Sequence, residues 1–348
     1  MANGAFTQFQ TSDIINSIDS TTGTVWSGNA PRLTEVYTSS VQNASNSGQY
    51  YIHVYQTGST LSTAAVQFDI AYADEVGSGS LAYNTLVPGK SPSSTIYGQY
   101  QNIALGDDTA PFLFGDYTGS YFYALSVERA RYKESIALGT MALSLSGSGI
   151  AKLTLTDNSS ISTGNVFGNA GRVYQVVSGS EGNIYTGVKA SGFSANSGSY
   201  GLFLPDVGLI LLNGAALDGP TAGGGINLGT GRANNTNNQN MSKLFAAFSG
   251  SIFANNNTFR LNSQETLASD FYFVRAQNSE FNYSSNPSFV SGSTGQLLWS
   301  TMQNNPQTFI TTVGLYNPSN ELCAVAKLSR PLVKDFTKEL LVRVKLDY

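Results

Sequence analysis

The last nine residues of the sequence alternate: Leu340, Val342, Val344, Leu346 and Tyr348 fall on one face, and Arg343, Lys345 and Asp347 on the other, with Leu341 the one apolar residue among them. A period of two over that length is a half-buried β-strand. Such a closing segment is expected to be tied into a sheet, where an appended tag would harm folding or assembly. Upstream, the β-branched and aromatic run Thr308 to Tyr316 is stopped by Asn317-Pro318-Ser319-Asn320 and answered by Glu321 to Leu328, the text of a hairpin with a four-residue turn. Pro331 is expected to break the chain between this hairpin and the closing strand.

The same alternation recurs earlier. Gln49 to Gln56 puts Tyr51, His53 and Tyr55 on one side and Tyr50, Ile52 and Val54 on the other. A loop containing Gly58 joins it to Ala64–Tyr72, whose Val66, Phe68 and Ile70 are core candidates. Gly119 to Leu145 opens as a long strand with Tyr121, Tyr123, Leu125 and Val127 on one face. Continued at the same period, it sets Arg129, Arg131 and Lys133 in one row, either a solvated face or a salt-bridged protein contact that also blocks edge pairing. Met141–Leu145 and Ile150–Leu155 read as a further hairpin across Ser146-Gly147-Ser148-Gly149. Thr258–Leu261 and Phe271–Arg275 return to strand text.

Helices are few. One is expected from Pro92, with Ser91 as N-cap, carrying Ile96, Tyr100 and Ile103 on one stripe and ending at Leu105-Gly106. Met241 to Phe248 suits a second, short one. The fold class expected is therefore mainly β, with antiparallel sheets in β-sandwich-like units and a few short helices. The divisions read from composition are an N-terminal arm (1–30), a β domain with one short helix (31–156), a loop-rich β insertion (157–240) and a C-terminal β domain (241–348).

The arm carries Phe6, Phe9, Ile14, Ile15 and Trp26, spaced for an extended segment that is either a strap onto a neighbour or an edge strand of its own domain. The insertion has short strands near Gly171–Val177 and Leu202–Leu212, with Thr221–Gly225 and Asn234–Asn240 as loop text. No fixed-period repeat marks a solenoid or propeller.

Only 11% of the 348 residues are charged, well below the usual quarter or so, while 41% are hydrophobic. Ser, Thr, Asn and Gly replace the missing charges. This is a surface for contact with protein or sugar, not for steering a polyanion. A net charge of -4 argues the same way against nucleic acid as a partner. The one cysteine, Cys323, cannot form an internal disulfide and is expected to be a small buried hydrophobe. No basic start and apolar run suggests a signal peptide. No membrane span is expected either, since Pro205, Asp206 and Asn213 interrupt the longest apolar stretch, Leu202–Leu217.

The sequence is poor in catalytic text. Its single histidine, His53, sits in strand text between Tyr51 and Tyr55, where a satisfied sheet histidine is expected and no nucleophile elbow is available. Gly223-Gly224-Gly225 lacks the Lys of a phosphate loop. Asp107-Asp108 lies in a turn before Pro111, without the alternating ligands of a calcium loop. No enzyme activity, cofactor or metal is expected.

Four segments near the end, Phe309–Asn317, Glu321–Leu328, Lys334–Glu339 and Val342–Tyr348, together with Phe271–Tyr283 and Ala130-Arg131-Tyr132-Lys133-Glu134, resemble virion structural proteins of large contractile-tailed bacteriophages, the cyanophage-like group in particular. The resemblance touches two separated parts of the chain and leaves roughly 157–240 unmatched. It implies a virion component of tail or baseplate type, assembled in the host cytoplasm, whose partners are other copies of itself and other virion proteins. It brings no catalytic residue. The candidate assembly interface is basic: Arg129, Arg131, Lys133, Lys334, Lys338, Arg343 and Lys345. The 19 Tyr and 19 Phe suit such contacts, because aromatic residues dominate binding energy at interfaces. Alternatives are a capsid decoration or neck protein, and a fibre or adhesin module that holds a surface glycan on its exposed aromatics.

Overall fold

Short apolar runs punctuated by Gly, Asn and Ser give strands joined by tight turns, and the computed structural model has this character throughout: 41% strand, 14% helix, and antiparallel sheets that include a curled half-barrel. It describes residues 7–40, 51–80, 83–147, 152–167, 169–186, 188–233, 239–255 and 259–348. The readings made above for 1–6, 49–50, 148–151, 234–238 and 258 lie outside the described residues.

In chain order the principal strands are β1 (Ile14–Thr24), β2 (Tyr37–Ser40), β3 (Tyr51–Tyr55), β4 (Val66–Asp74), β5 (Tyr121–Val127), β6 (Leu143–Ser146), β7 (Lys152–Asp157) and β8 (Gly171–Ser180). They continue with β9 (Gly201–Leu204), β10 (Leu209–Asn213), β11 (Asn262–Ala276), β12 (Thr308–Tyr316), β13 (Leu322–Lys334) and β14 (Leu340–Asp347). The two longer helices are α1 (Pro92–Tyr100), followed by a π-helical turn over Gln101–Leu105, and α2 (Gln239–Asn255).

The chain divides into two compact units, residues 21–265 and residues 1–20 with 266–348. In the larger unit one antiparallel sheet runs in the order β2-β3-β4-β5-β10-β9-β8-β7-β6. Both faces of its centre are covered. On one, Phe68 and Ile70 of β4 and Tyr123 and Leu125 of β5 pack with Trp26, Phe259 and, from α2, Leu244 and Phe248. The rings interlock at 5.0 Å (Trp26–Phe259) and 5.5 Å (Phe68–Phe259) between centroids. On the other, Ala71, Ala73, Phe122 and Ala124 lie with Tyr97 of α1. Coverage on both sides is why Leu209 to Leu212 is apolar at every position and not at alternate ones.

Three boundaries differ from the sequence reading. The C-terminal β unit begins at 266 and not at 241, since Leu244, Phe248 and Phe259 pack in the core of the larger unit. The stretch 157–240 is not an insertion, since β8, β9 and β10 are interior strands of the main sheet, with β10 paired to β5 from Leu209↔Ser126 to Asn213↔Phe122. Its glycines and asparagines serve the turns between short buried strands. The arm is divided as well: Trp26 is a core residue, 2% exposed, whereas β1 is an edge strand beside β11, the second of the two alternatives.

Three local readings also change. The fully buried positions of α1 and its π turn are Tyr97, Gln101 and Ala104; of the expected stripe, Ile96 and Tyr100 pack partly buried against the same core and Ile103 is 40% exposed. The one-residue offset is already present at Tyr97, before the π turn, and Gly106, in the left-handed region at φ 69°, ends the element. Next, β5 stops at Val127, and Arg129–Arg131 forms a 3-10 turn, so Arg129, Arg131 and Lys133 do not share a strand row. Finally, Pro331 does not break the chain. Leu328, Ser329, Arg330 and Pro331 bulge opposite Thr311, between the pairs Thr312↔Lys327 and Ile310↔Leu332, so the ladder never calls on the proline for an N–H.

In the smaller unit β1, β11 and β14 lie side by side and β12 pairs with β13 as a two-stranded ribbon. The closing strand pairs antiparallel with β11 from Ala276↔Leu340 to Ser269↔Asp347, with Val344 buried and Leu341, Arg343, Lys345 and Asp347 exposed, as its alternation predicts. Among the described residues, no helix is long and apolar enough to cross a membrane.

Candidate functional site

A sheet that buries one face leaves the other polar, and the smaller unit departs from that rule. Among the described residues its buried hydrophobic side chains are Ala276, Phe289, Val290, Leu315 and Val344. Against these five, it contributes fifteen of the 26 large hydrophobics that stay exposed. Both hydrophobic core clusters belong to the larger unit. On the ribbon, Val313, Leu315, Ala324, Ala326 and Leu328 form the half-buried face, while Phe309 (58%) and Val325 (59%) stand in solvent. On β1, Ile18 is 76% exposed. Exposed apolar strands of this extent mark surfaces that associate.

Cys323 stands on the same exposed ribbon, which corrects the expectation that it is buried. A two-stranded ribbon covers only what packs beneath it. The one-sided core of β13 takes Ala324 and Ala326 and leaves Cys323 and Val325 outside.

The basic residues fall into three groups. Arg343 and Lys345 lie on the β11–β14 face, with the Arg343 guanidinium 5.1 Å and the Lys345 ammonium 5.8 Å from the Phe271 ring centre. Lys345 also pairs with Asp347 at 2.9 Å. Arg and aromatic residues are both enriched at interfaces, although such pairs are also common within single chains. Lys338, half exposed, meets the buried Asp335 carboxylate at 3.4 Å.

Lys334 is not an interface residue. Its side chain is fully buried, and its ammonium donates to Asn282 Oδ1 (2.8 Å), the Asp335 carbonyl (2.9 Å) and the Asn278 carbonyl (3.1 Å). Three acceptors fill its three donor positions, so it fastens the 278–282 loop to the end of β13. Lys334→Met is expected to cost about 2–4 kcal/mol, because it removes charge-assisted bonds and leaves buried carbonyls unpaired. Lys338 is itself half exposed and its Asp335 partner keeps its bonds from the Thr337 N–H and hydroxyl, so Lys338→Met is the milder comparison, at about 1 kcal/mol or less. Denaturant unfolding of the two variants checks the difference, and equal midpoints would refute the fastening role.

Arg129, Arg131 and Lys133 belong to the larger unit. Arg129 donates to the Tyr132 carbonyl at 2.6 Å with its guanidinium 4.6 Å from that ring centre, and Lys133 pairs with Glu265 at 3.0 Å. These intramolecular contacts account for Arg129 and Lys133 without a partner protein, whereas Arg131 Nε is buried with no hydrogen-bond partner among the described residues.

His53 is the satisfied sheet histidine expected, its Nδ1 bonded to Asp69 Oδ1 across the β3–β4 register. Burial pushes the Asp69 carboxyl above the ordinary carboxylate range, opposed by that hydrogen bond. Asp69 is also opposite Ser126 on β5. A carboxylate therefore lies between histidine and serine, whereas triad chemistry needs the imidazole in the middle. Asp107 caps its own turn by accepting from the Thr109 N–H (2.8 Å) and hydroxyl (2.7 Å).

The exposed apolar residues were not singled out in the sequence. Their signal was available in Leu322-Cys323-Ala324-Val325-Ala326, which is apolar on both faces of a hairpin that has a single core side. Comparison with known proteins finds no matching family model, no matching curated protein and no matching solved structure.

Proposed function

We propose that the chain is a structural subunit of a tailed-phage virion, a tail or baseplate component that works through protein–protein interfaces and not as an enzyme. One observation carries this reading: residues 1–20 and 266–348 expose far more large apolar side chains than they bury. Strands so short of core gain most of their burial from neighbours, as the halves of an obligate interface do. The low charge of the chain adds to this, since few charges need desolvation when its surfaces meet. The phage context comes from the resemblance of these same C-terminal strands to contractile-tail virion proteins. The partners are then further copies of the chain and other virion proteins, and the acidic balance argues against nucleic acid as the main partner.

Gold-labelled antibody against the chain, viewed on intact and disrupted particles by electron microscopy, tests the proposal. Label at the tail end is the expected result. Label over the head would replace the tail reading by a capsid one, and absence from both preparations would defeat the virion reading.

A further inference from the structure

A second feature lies in the larger unit and stands whether or not the chain is a particle component. Across the α1 side of the main sheet, the register sets Tyr51, His53 and Tyr55 of β3 on one face, then Asp69 and Ala71 of β4, then Ala124 and Ser126 of β5. The helix covers Ala71 and Ala124 with Tyr97 and leaves the polar end of these rows open. The result is a cleft of about 770 Å³ with Tyr51, Asp69 and Ser126 on the sheet side and Lys90, Gln99 and Tyr100 on the helix side. That volume is in the range of small-molecule sites.

The lining chemistry narrows the ligand class. A wholly apolar ligand would strip water from the Asp69 carboxylate and the Ser126 hydroxyl with nothing in return. A phosphate or other polyanion would meet that carboxylate against a single lysine at the rim. A metal ion would find one carboxylate where it needs several oxygen ligands. A neutral sugar fits all of the lining, because it offers an apolar C–H face to a tyrosine ring, hydroxyl donors to a carboxylate, and hydroxyl acceptors to an amide and an ammonium.

The carboxylate is already held for this. His53 occupies Asp69 Oδ1, which leaves Oδ2 for a hydroxyl donor. His53 is itself fixed edge-on between Tyr51 and Tyr55, with ring centres 5.2 and 6.1 Å away. A group oriented before the ligand arrives loses little freedom on binding. We propose that this cleft binds a neutral saccharide, with the Tyr51 ring against its apolar face, Asp69 accepting from its hydroxyls and Gln99 and Lys90 donating to them. His53 is then a positioning residue that acts through Asp69.

The test uses the full chain on an array of neutral and acidic oligosaccharides, followed by titration calorimetry with the best neutral one. Saturable binding of a neutral sugar is expected. Tyr51→Ala and Asp69→Asn are each expected to weaken it about tenfold or more, the loss of one well-made contact. Gln99→Ala, at an exposed helix position that folding does not depend on, gives a smaller weakening and keeps the test open should either sheet variant misfold. Absence of binding anywhere on the array overturns the proposal, as does preference for acidic sugars or binding that all three variants leave unchanged. Particle location by gold label is unaffected by any of these outcomes, so the two proposals fail separately.

Discussion

Asp74→Ala is expected to destabilise the 21–265 unit by about 3–5 kcal/mol, the cost of orphaning a buried charge network. Asp74 is fully buried at the end of β4, and its carboxylate accepts from the backbone N–H groups of Val76 (3.1 Å) and Ser78 (3.0 Å) and from Arg232 Nε (2.8 Å). The Tyr72 hydroxyl adds a longer contact at 3.4 Å, and burial with Asp74 beside it holds that phenol far above its ordinary pKa, so it remains a donor. The Arg232 guanidinium lies 4.5 Å from the centre of the Tyr121 ring, whose hydroxyl donates to Asp218 at 2.9 Å. Asp218 in turn accepts from the N–H (2.8 Å) and hydroxyl (2.9 Å) of Thr230. One carboxylate thus ties a β4 turn to the 218–232 loop.

Alanine removes the acceptor of two N–H groups and the counter-charge of an arginine in one step. Asp74→Asn keeps Oδ1 for the two N–H groups but sets an amide NH2 where Oδ2 accepted from Arg232 and Tyr72, so a smaller loss than for alanine is expected. Urea unfolding followed by far-UV circular dichroism ranks the two, with the transition of the larger unit read separately because two units need not unfold as one. An alanine variant within about 1 kcal/mol of the parent would show that water replaces the carboxylate, contrary to this account.

How far the residues themselves announced this structure depends on whether each acts locally. Period-two text at Leu340–Tyr348 was legible, because alternation depends only on which side of a strand is buried; Tyr121–Val127 was legible as a strand although both of its faces are covered. The Asn317–Asn320 turn was legible too, with Asn320 at φ 59° where a turn asparagine is tolerated. Glu128 and Arg129 were not. Nothing in their own spacing says that the strand ends, and the turn is set by the Arg129 bond to the Tyr132 carbonyl. Lys334 reads as one more surface cation, since the Asn278 carbonyl and Asn282 side chain that bury it lie over fifty residues away in sequence. The composition of 157–240 misled in the opposite direction. Frequent Gly and Asn looked like loop text, while the four consecutive apolar residues of β10 belonged to a strand covered on both faces. For the candidate interface, the cations were visible in sequence and the exposed apolar residues were hidden, because exposure is decided by what the rest of the fold fails to cover.

If those apolar residues are the assembly surface, Ile18→Lys combined with Val325→Lys is expected to abolish incorporation into particles while leaving the chain folded. Ile18 is 76% and Val325 59% exposed, one on β1 and the other on the ribbon, so neither substitution removes core contacts. Their intrinsic cost is that of losing a β-branched residue from a strand, about 1 kcal/mol or less at each site. An ammonium trapped in an interface is far more costly, and a single hot-spot loss of about 2 kcal/mol already weakens association some 30-fold. Ile161→Lys with Val166→Lys is the matched control, at 68% and 77% exposure in the larger unit, which the proposal gives no part in assembly. Sedimentation of the purified chains and occupancy in complemented particles read the outcome. If both double variants enter particles at the parent level, the exposed strands of the smaller unit are not what holds the chain in place. If both fail alike with unchanged unfolding midpoints, added positive charge anywhere on this weakly charged surface is the cause, and the interface cannot be assigned to the smaller unit.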